Sequence, residues 1–229
     1  MKYIYHHLGL GDHFICNGMV RHYYDIHKNI KLFCKHHLKS HIDFMYRDLH
    51  NFEVISFLDD SEVEEHIYKN NLHESLIKIG FDKLITSLQH VETFDKGFYF
   101  GERLPFEIRF KKFYIRRDQE KEEYVFEKFA KNYKEYIFVH DDPDRGMHIN
   151  LDKIKRSDLP IIRNDKTFLI TDYLKLLENA TEIHLMQSCF KDMVNSYVMP
   201  KPKIFLHNYI RNYDNYANSK GLNKFEVIY

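Results

Sequence analysis

The sequence predicts an α/β chain built from two successive parallel-sheet halves. Three observations carry this. Short apolar runs alternate with amphipathic runs of helical spacing through the first 58 residues, and the alternation restarts at residue 124. In each half the first apolar run passes directly into a polar turn. Strands alternating with helices close into parallel sheets through right-handed crossovers. Each half therefore reads as a small Rossmann-like domain, with bounds at 1–115 and 116–229.

Taken in order, residues 2–6 form a strand, 14–24 a helix, 30–35 a second strand, and 37–47 a helix with Leu38, Ile42 and Met45 on one face. Residues 52–58 are a third strand, and the acidic run 59–65 is a solvated loop and helix start. Residues 76–79 and 84–91 fit strand or helix. Residues 96–104 hold two glycines in irregular order and read as a loop, and Pro105 opens a helix over 106–114. The charged stretch 116–123 is a hinge or linking helix. In the second half, 124–133 has an apolar helical face of Val125, Phe126, Phe129 and Ala130, and 136–140 is a strand ending in the turn 141–146. Strands at 159–162, 181–186 and 203–207 follow, with helices at 171–179 and 189–197, the last capped by Ser188. The tail from Asn208 is rich in Asn and Tyr. No repeat of 20 to 50 residues occurs.

Lys plus Arg equals Asp plus Glu at 34 each in the 229 residues, which argues against a nucleic-acid-binding protein held by bulk charge. No run approaches the ~18 apolar residues of a membrane span, and the opening Met-Lys-Tyr-Ile-Tyr-His-His is no signal peptide, so the expected location is the cytoplasm. Cys16, Cys34 and Cys189 make no Cys-x-x-Cys pair and read as reduced thiols. The 16 histidines include the doublets His6-His7 and His36-His37, but neighbours in sequence diverge on a strand or helix, so no metal site is expected.

Ligands of open parallel sheets bind beyond the carboxyl ends of the strands, and three polar turns fall there. The first holds Gly9, Gly11, Asp12 and His13; Asn17 follows on the helix behind it. The lone Gly-x-Gly lacks the third glycine of a dinucleotide fingerprint. The second runs from His140 through Arg145, a bidentate clamp for phosphate, to Gly146, which admits close backbone approach. The third is Gln187-Ser188, a hydroxyl at a helix N-terminus. Each has a plainer reading: Asp12 and Ser188 as helix caps, and Arg145 as the partner of Asp141, Asp142 or Asp144 in a surface turn.

The stretch His7-Leu8-Gly9-Leu10-Gly11-Asp12-His13-Phe14-Ile15-Cys16-Asn17-Gly18 resembles the opening Gly-Asp loop and helix of GT-B glycosyltransferases of the heptosyltransferase kind. The turn from His140 to Gly146 is similar to the donor-binding turn of inverting fucosyltransferases, where an Arg contacts the nucleotide diphosphate. The resemblance implies a compact GT-B-like chain whose two Rossmann-like domains face across a cleft, an acceptor domain first and a nucleotide-sugar domain second. It implies Asp12 as general base toward an acceptor hydroxyl, with His13 as substitute, and Gly9, Gly11 and Asn17 on the acceptor side. The donor pattern Asp-Ser/Thr-Gly-x-x-His maps onto Gln187, Ser188, Cys189 and Asp192, keeping only the hydroxyl residue, and Lys191, one residue before the expected His, supplies positive charge instead. His140, Arg145, Gly146, Gln187, Ser188 and Lys191 form the expected donor set. The activity implied is metal-independent, inverting sugar transfer, with the nucleotide-sugar as donor substrate and no cofactor. The alternatives are a nucleotide-sugar epimerase or hydrolase on the same scaffold, or a non-catalytic nucleotide-sugar-binding protein.

Overall fold

Short runs of Ile, Leu, Phe and Tyr become strands, and the amphipathic stretches between them helices, in a computed structural model of the chain. It describes residues 1–156, 158–211 and 221–229 and, within these, every side chain but that of Asp144. The chain divides into two units, Met1–Arg116 and Arg117–Tyr229.

In the first unit β1 (Lys2–Tyr5), β2 (Ile30–Lys35), β3 (Phe52–Phe57) and β4 (Leu76–Lys78) form one parallel sheet in the order β3-β2-β1-β4. Lys2 pairs with Ile30 on one side and Tyr3 with Leu76 on the other. The helices are α1 (Leu10–His27), α2 (Lys39–Tyr46), α3 (Asp60–Lys69), α4 (Asp82–Ser87), α5 (Phe94–Gly101) and α6 (Ile108–Lys111). Tyr5, Leu8, Phe33, Val63, Ile67 and Leu72 pack into one buried cluster between sheet and α3. The acidic run starts a helix as expected, because the Asp59 carboxylate accepts hydrogen bonds from the Ser61 and Glu62 amides at 2.9 and 3.2 Å.

Three expectations for this unit are corrected. Residues 96–104 are not a loop: α5 covers most of them, and its glycines serve packing. A Cβ on Gly97 would stand 2.5 Å from Leu84 Cδ1, so glycine lets α4 and α5 approach. The helix expected over 106–114 shrinks to α6, because the Asn17 side chain takes the Tyr114 amide at 3.1 Å. The first helix starts at Leu10 rather than residue 14, which moves Gly11, Asp12 and His13 out of a loop and into its first turn.

Gly18 lies where α1 crosses α6, and a Cβ there would be 2.4 Å from the Ile108 carbonyl and 2.8 Å from that of Arg109. Both obstacles are backbone, which yields poorly. Gly18→Ala should therefore cost about 1–3 kcal/mol, seen as a lower urea midpoint at unchanged m-value. Beneath the same crossing, Arg109 and Asp95 form a buried, hydrogen-bonded ion pair, with the Arg109 guanidinium 5.8 and 5.1 Å from the Phe106 and Phe110 ring centres.

In the second unit α7 (Gln119–Ala130) starts inside the charged stretch, capped by Asp118, and Arg117 binds both Glu122 and Glu178. The sheet holds β5 (Ile137–Val139), β6 (Ile161–Arg163), β7 (Glu182–Leu185), β8 (Lys203–His207) and β9 (Phe225–Ile228), parallel, in the order β6-β5-β7-β8-β9. The helices α8 (Leu174–Asn179) and α9 (Cys189–Val194) flank it in sequence. β9 was not expected in the polar tail; it pairs with β8 from Ile204–Phe225 to His207–Ile228. β7 is buried along its whole length even though it reads Glu-Ile-His-Leu, since its polar side chains bond one another.

Candidate active site

Each sheet has one point where strand order reverses, and there the loops diverge and leave a crevice. In the first unit β2 lies on one side of β1 and β4 on the other, so the crevice opens between the carboxyl ends of β1 and β4. Residues 6–9 and 79–81 border it. His7 ties the two borders together: its Nε2 accepts the Phe81 amide at 3.1 Å, and its ring meets Phe81 and Phe98 edge-on at 4.9 and 5.3 Å. That bond leaves the proton on Nδ1 of the neutral ring. Burial lowers the His7 pKa, against the pull of Asp60, whose Oδ1 accepts the Tyr5 hydroxyl at 2.8 Å. Phe81 has φ 53° and ψ −130°, a conformation that costs a bulky residue energy, and Gly80 before it has φ 88°.

Asp12 is half-buried in the first turn of α1, where the helix dipole favours an acid. Its Oδ2 lies 2.7 Å from where a Cβ on Gly9 would be, so glycine at the N-cap leaves room for this carboxylate. Gly9 has φ −74° and ψ 146°, open to any residue; its value is space. Gly11 sits within the helix. His13 turns inward: it is fully buried, its ring centre is 4.3 Å from that of His6, and neither nitrogen has a partner. Burial holds its pKa well below the ordinary value and that of His6 down to about 4. Asn17 is also fully buried, committed to the Tyr114 amide.

In the second unit β6 and β7 lie on opposite sides of β5, so the crevice opens between the carboxyl ends of β5 and β7. His140 and the turn behind it form one border, and Gln187-Ser188 the other. His140 donates through Nδ1 to Asn164 Oδ1 at 2.9 Å and packs 4.3 Å from the Phe190 ring; burial lowers its pKa. Arg145 is exposed and paired with Asp142. Asp141 instead accepts the Ile149 amide at 2.8 Å and Arg163 Nε at 2.9 Å. Gly146 has φ 66° and nothing within 4 Å of an added Cβ, so it serves the turn's left-handed backbone.

Ser188 stands at the N-cap of α9, but its hydroxyl makes no cap bond, and its buried Oγ has no partner. Gln187 is 4% exposed; its carbonyl accepts Arg211 Nη1 at 3.0 Å while its Nε2 is unpaired. Lys191 is buried with Nζ 3.5 Å from Asp192 Oδ1. The two borders sense each other: desolvation pushes the Cys189 thiol up to about 12, Asp192 adds to this, and Arg145 opposes it.

Of the site residues missed in the sequence, His7 and Asn164 border the crevices through hydrogen bonds to other loops, and only the His6-His7 doublet carried a signal. Its two rings do diverge, His6 toward His13 and His7 toward Phe81. Cys16, Cys34 and Cys189 are free thiols. Among the described residues no three His, Cys, Asp or Glu side chains gather to hold a metal, and no helix is long and apolar enough to cross a membrane.

No protein-family model matches the chain, and no curated protein matches it in sequence. Among solved structures, the E. coli ADP-heptose LPS heptosyltransferase II aligns with 100% of this chain and 90% of its own, at a TM-score of 0.53 and 8% identity. At that identity the likeness is one of fold. The two parallel sheets with their helices are the architecture of a GT-B glycosyltransferase of the heptosyltransferase kind.

Proposed function

We propose that this protein moves a sugar from a nucleotide-sugar donor to an acceptor hydroxyl, with inversion and through its own cations rather than a metal. The observation that supports this reading most is the pair of unpaired polar atoms, Ser188 Oγ and Gln187 Nε2, at the β5–β7 crevice. A buried polar atom without a partner costs about 1–3 kcal/mol. Both groups are donors, and the oxygens of a diphosphate are acceptors. Arg145 adds permanent charge by exchanging Asp142 for phosphate, and Lys191 adds a second cation behind Ser188. As the bond to the anomeric carbon breaks, negative charge grows on the leaving diphosphate, and these groups stabilise it.

On the acceptor side Asp12 takes the proton from the attacking hydroxyl. His13 is given no part in proton transfer, because its ring is sealed from solvent and held neutral. His7 and Phe81 shape the acceptor crevice.

The test is a thermal-shift series with ADP, GDP, UDP and their sugar conjugates. A ligand that binds only the folded chain stabilises it by about 2.7 kcal/mol at a hundred times its Kd. We expect one nucleoside diphosphate to raise Tm and Ser188→Ala to weaken that rise. No shift with any of them overturns the donor assignment.

A further inference from the structure

Behind the β5–β7 crevice runs a line of polar groups, buried at Glu182, His184 and His207 and reaching the surface at Tyr209, that sugar transfer does not use. Glu182 and His184 on β7 and His207 on β8 share one face of the sheet, and Tyr209 follows β8. The Asn150 amide donates to Tyr209 Oη at 2.9 Å, Tyr209 Oη lies 3.1 Å from His207 Nδ1, His207 Nε2 lies 2.8 Å from His184 Nδ1, and His184 Nε2 lies 3.1 Å from Glu182 Oε2. His184 and His207 are 1% and 0% exposed.

The protons in this line can be placed by elimination. A backbone N–H only donates, so Tyr209 Oη accepts from Asn150 and still has its hydrogen to give; with the ionised Glu182 carboxylate accepting at the other end of the line, that hydrogen goes to His207 Nδ1. His207 then holds its proton on Nε2 and gives it to His184 Nδ1; His184 holds its own on Nε2 and gives it to Glu182. An ionised carboxylate only accepts, so the far end requires the same direction. Every group is satisfied when both rings are neutral, and burial lowers both ring pKa values to about 4.

We infer that His184, His207 and Tyr209 are positioning residues, a one-way hydrogen-bond chain anchored on Glu182 that fixes residues 141–150, and with them Arg145, at the carboxyl edge of β5. Only the consequence for diphosphate binding rests on the function proposed above; the anchoring does not. Among the described residues the segment is also tied by the Asp141 carboxylate, which accepts the Ile149 amide at 2.8 Å and Arg163 Nε at 2.9 Å, while Lys153 lies 4.8 Å over the Tyr209 ring and donates to the Tyr229 carbonyl at 2.6 Å. Ile149 and Ile154 pack on Ile137 and Val139, so the polar chain and this small apolar cluster act on the same loop.

Two measurements on the full chain decide it. Long-range 1H–15N correlation at pH 7 should show both His184 and His207 as neutral rings protonated on Nε2; an Nδ1-protonated ring or an imidazolium at either position overturns the inference, with no variant needed. In Tyr209→Phe, hydrogen exchange at the Asn150 amide should rise at least tenfold while that of Phe138 in β5 stays as in wild type. Unchanged exchange at Asn150 overturns the anchoring. ADP, GDP and UDP titrations of both proteins separate the two readings. Faster exchange at Asn150 with no nucleotide bound by either protein leaves the anchor standing and removes the donor site. A nucleotide bound equally by both, despite faster exchange, overturns the claim that the anchor places Arg145.

Discussion

Asp12→Asn is expected to lower the rate of sugar transfer by about 10²–10⁴, the usual worth of a positioned general base. Asparagine keeps the size of the side chain and one acceptor oxygen but cannot hold the proton of the attacking hydroxyl. The helix should tolerate the exchange, since Asn is neutral to a first turn and the space beside Gly9 is unchanged. Donor binding should also survive, because the groups assigned to it lie in the second unit. The discriminating result is therefore a fall in kcat with the nucleotide-induced rise in Tm intact. Transfer at the wild-type rate would remove Asp12 from the role of base.

Acidification from pH 7 to pH 5 should destabilise the protein by several kcal/mol, well before carboxylates titrate. His6, His184 and His207 have pKa values lowered by burial to about 4, and that of His13 lies well below the ordinary value. Unfolded, each ring takes a proton near pH 6.5; folded, His6, His184 and His207 refuse one until about pH 4, and His13 until well below the ordinary value. Between these values the unfolded state binds more protons, so stability rises with pH. It is complete above about 6.5 and lost as pH falls through the window. For His6 alone the loss from pH 7 to 5 is about 2 kcal/mol at 1.36 kcal/mol per pKa unit. Asp172 and Glu182, whose pKa values burial raises, act in the opposite sense and offset part of the loss. Urea titrations at pH 7, 6 and 5 measure the slope. A flat profile would mean that the buried rings are not neutral imidazoles.

Much of the fold was legible because strand and helix periods are local properties of the chain. β2 and β8 were bounded by sequence to the residue, and β1, β3 and β7 to within one residue at each end. What was not legible depends on partners far along the chain. Gly97 and Gly101 look like loop residues until Leu84 and Lys83 are seen against them. β9 has only Phe225–Ile228 to announce it and needs β8 beside it. The site divides in the same way. Asp12, Arg145 and Ser188 are chemically conspicuous types beside turns, whereas His13 gives no hint in sequence of pointing inward, and His7 acquires meaning only through an amide 74 positions away. The polar line from Asn150 to Glu182 joins three segments and could not be read from any one of them.

Phe81 carries a last consequence. Its backbone holds a shape that glycine would take at almost no cost, yet the chain keeps an aromatic ring there, with the His7 imidazole against both its amide and its face. The ring itself packs 4.6 Å from that of Tyr5, against the cluster that holds Phe33 and Val63, so its burial offsets the cost of the backbone and the strained turn is pinned to the core at the border of the β1–β4 crevice.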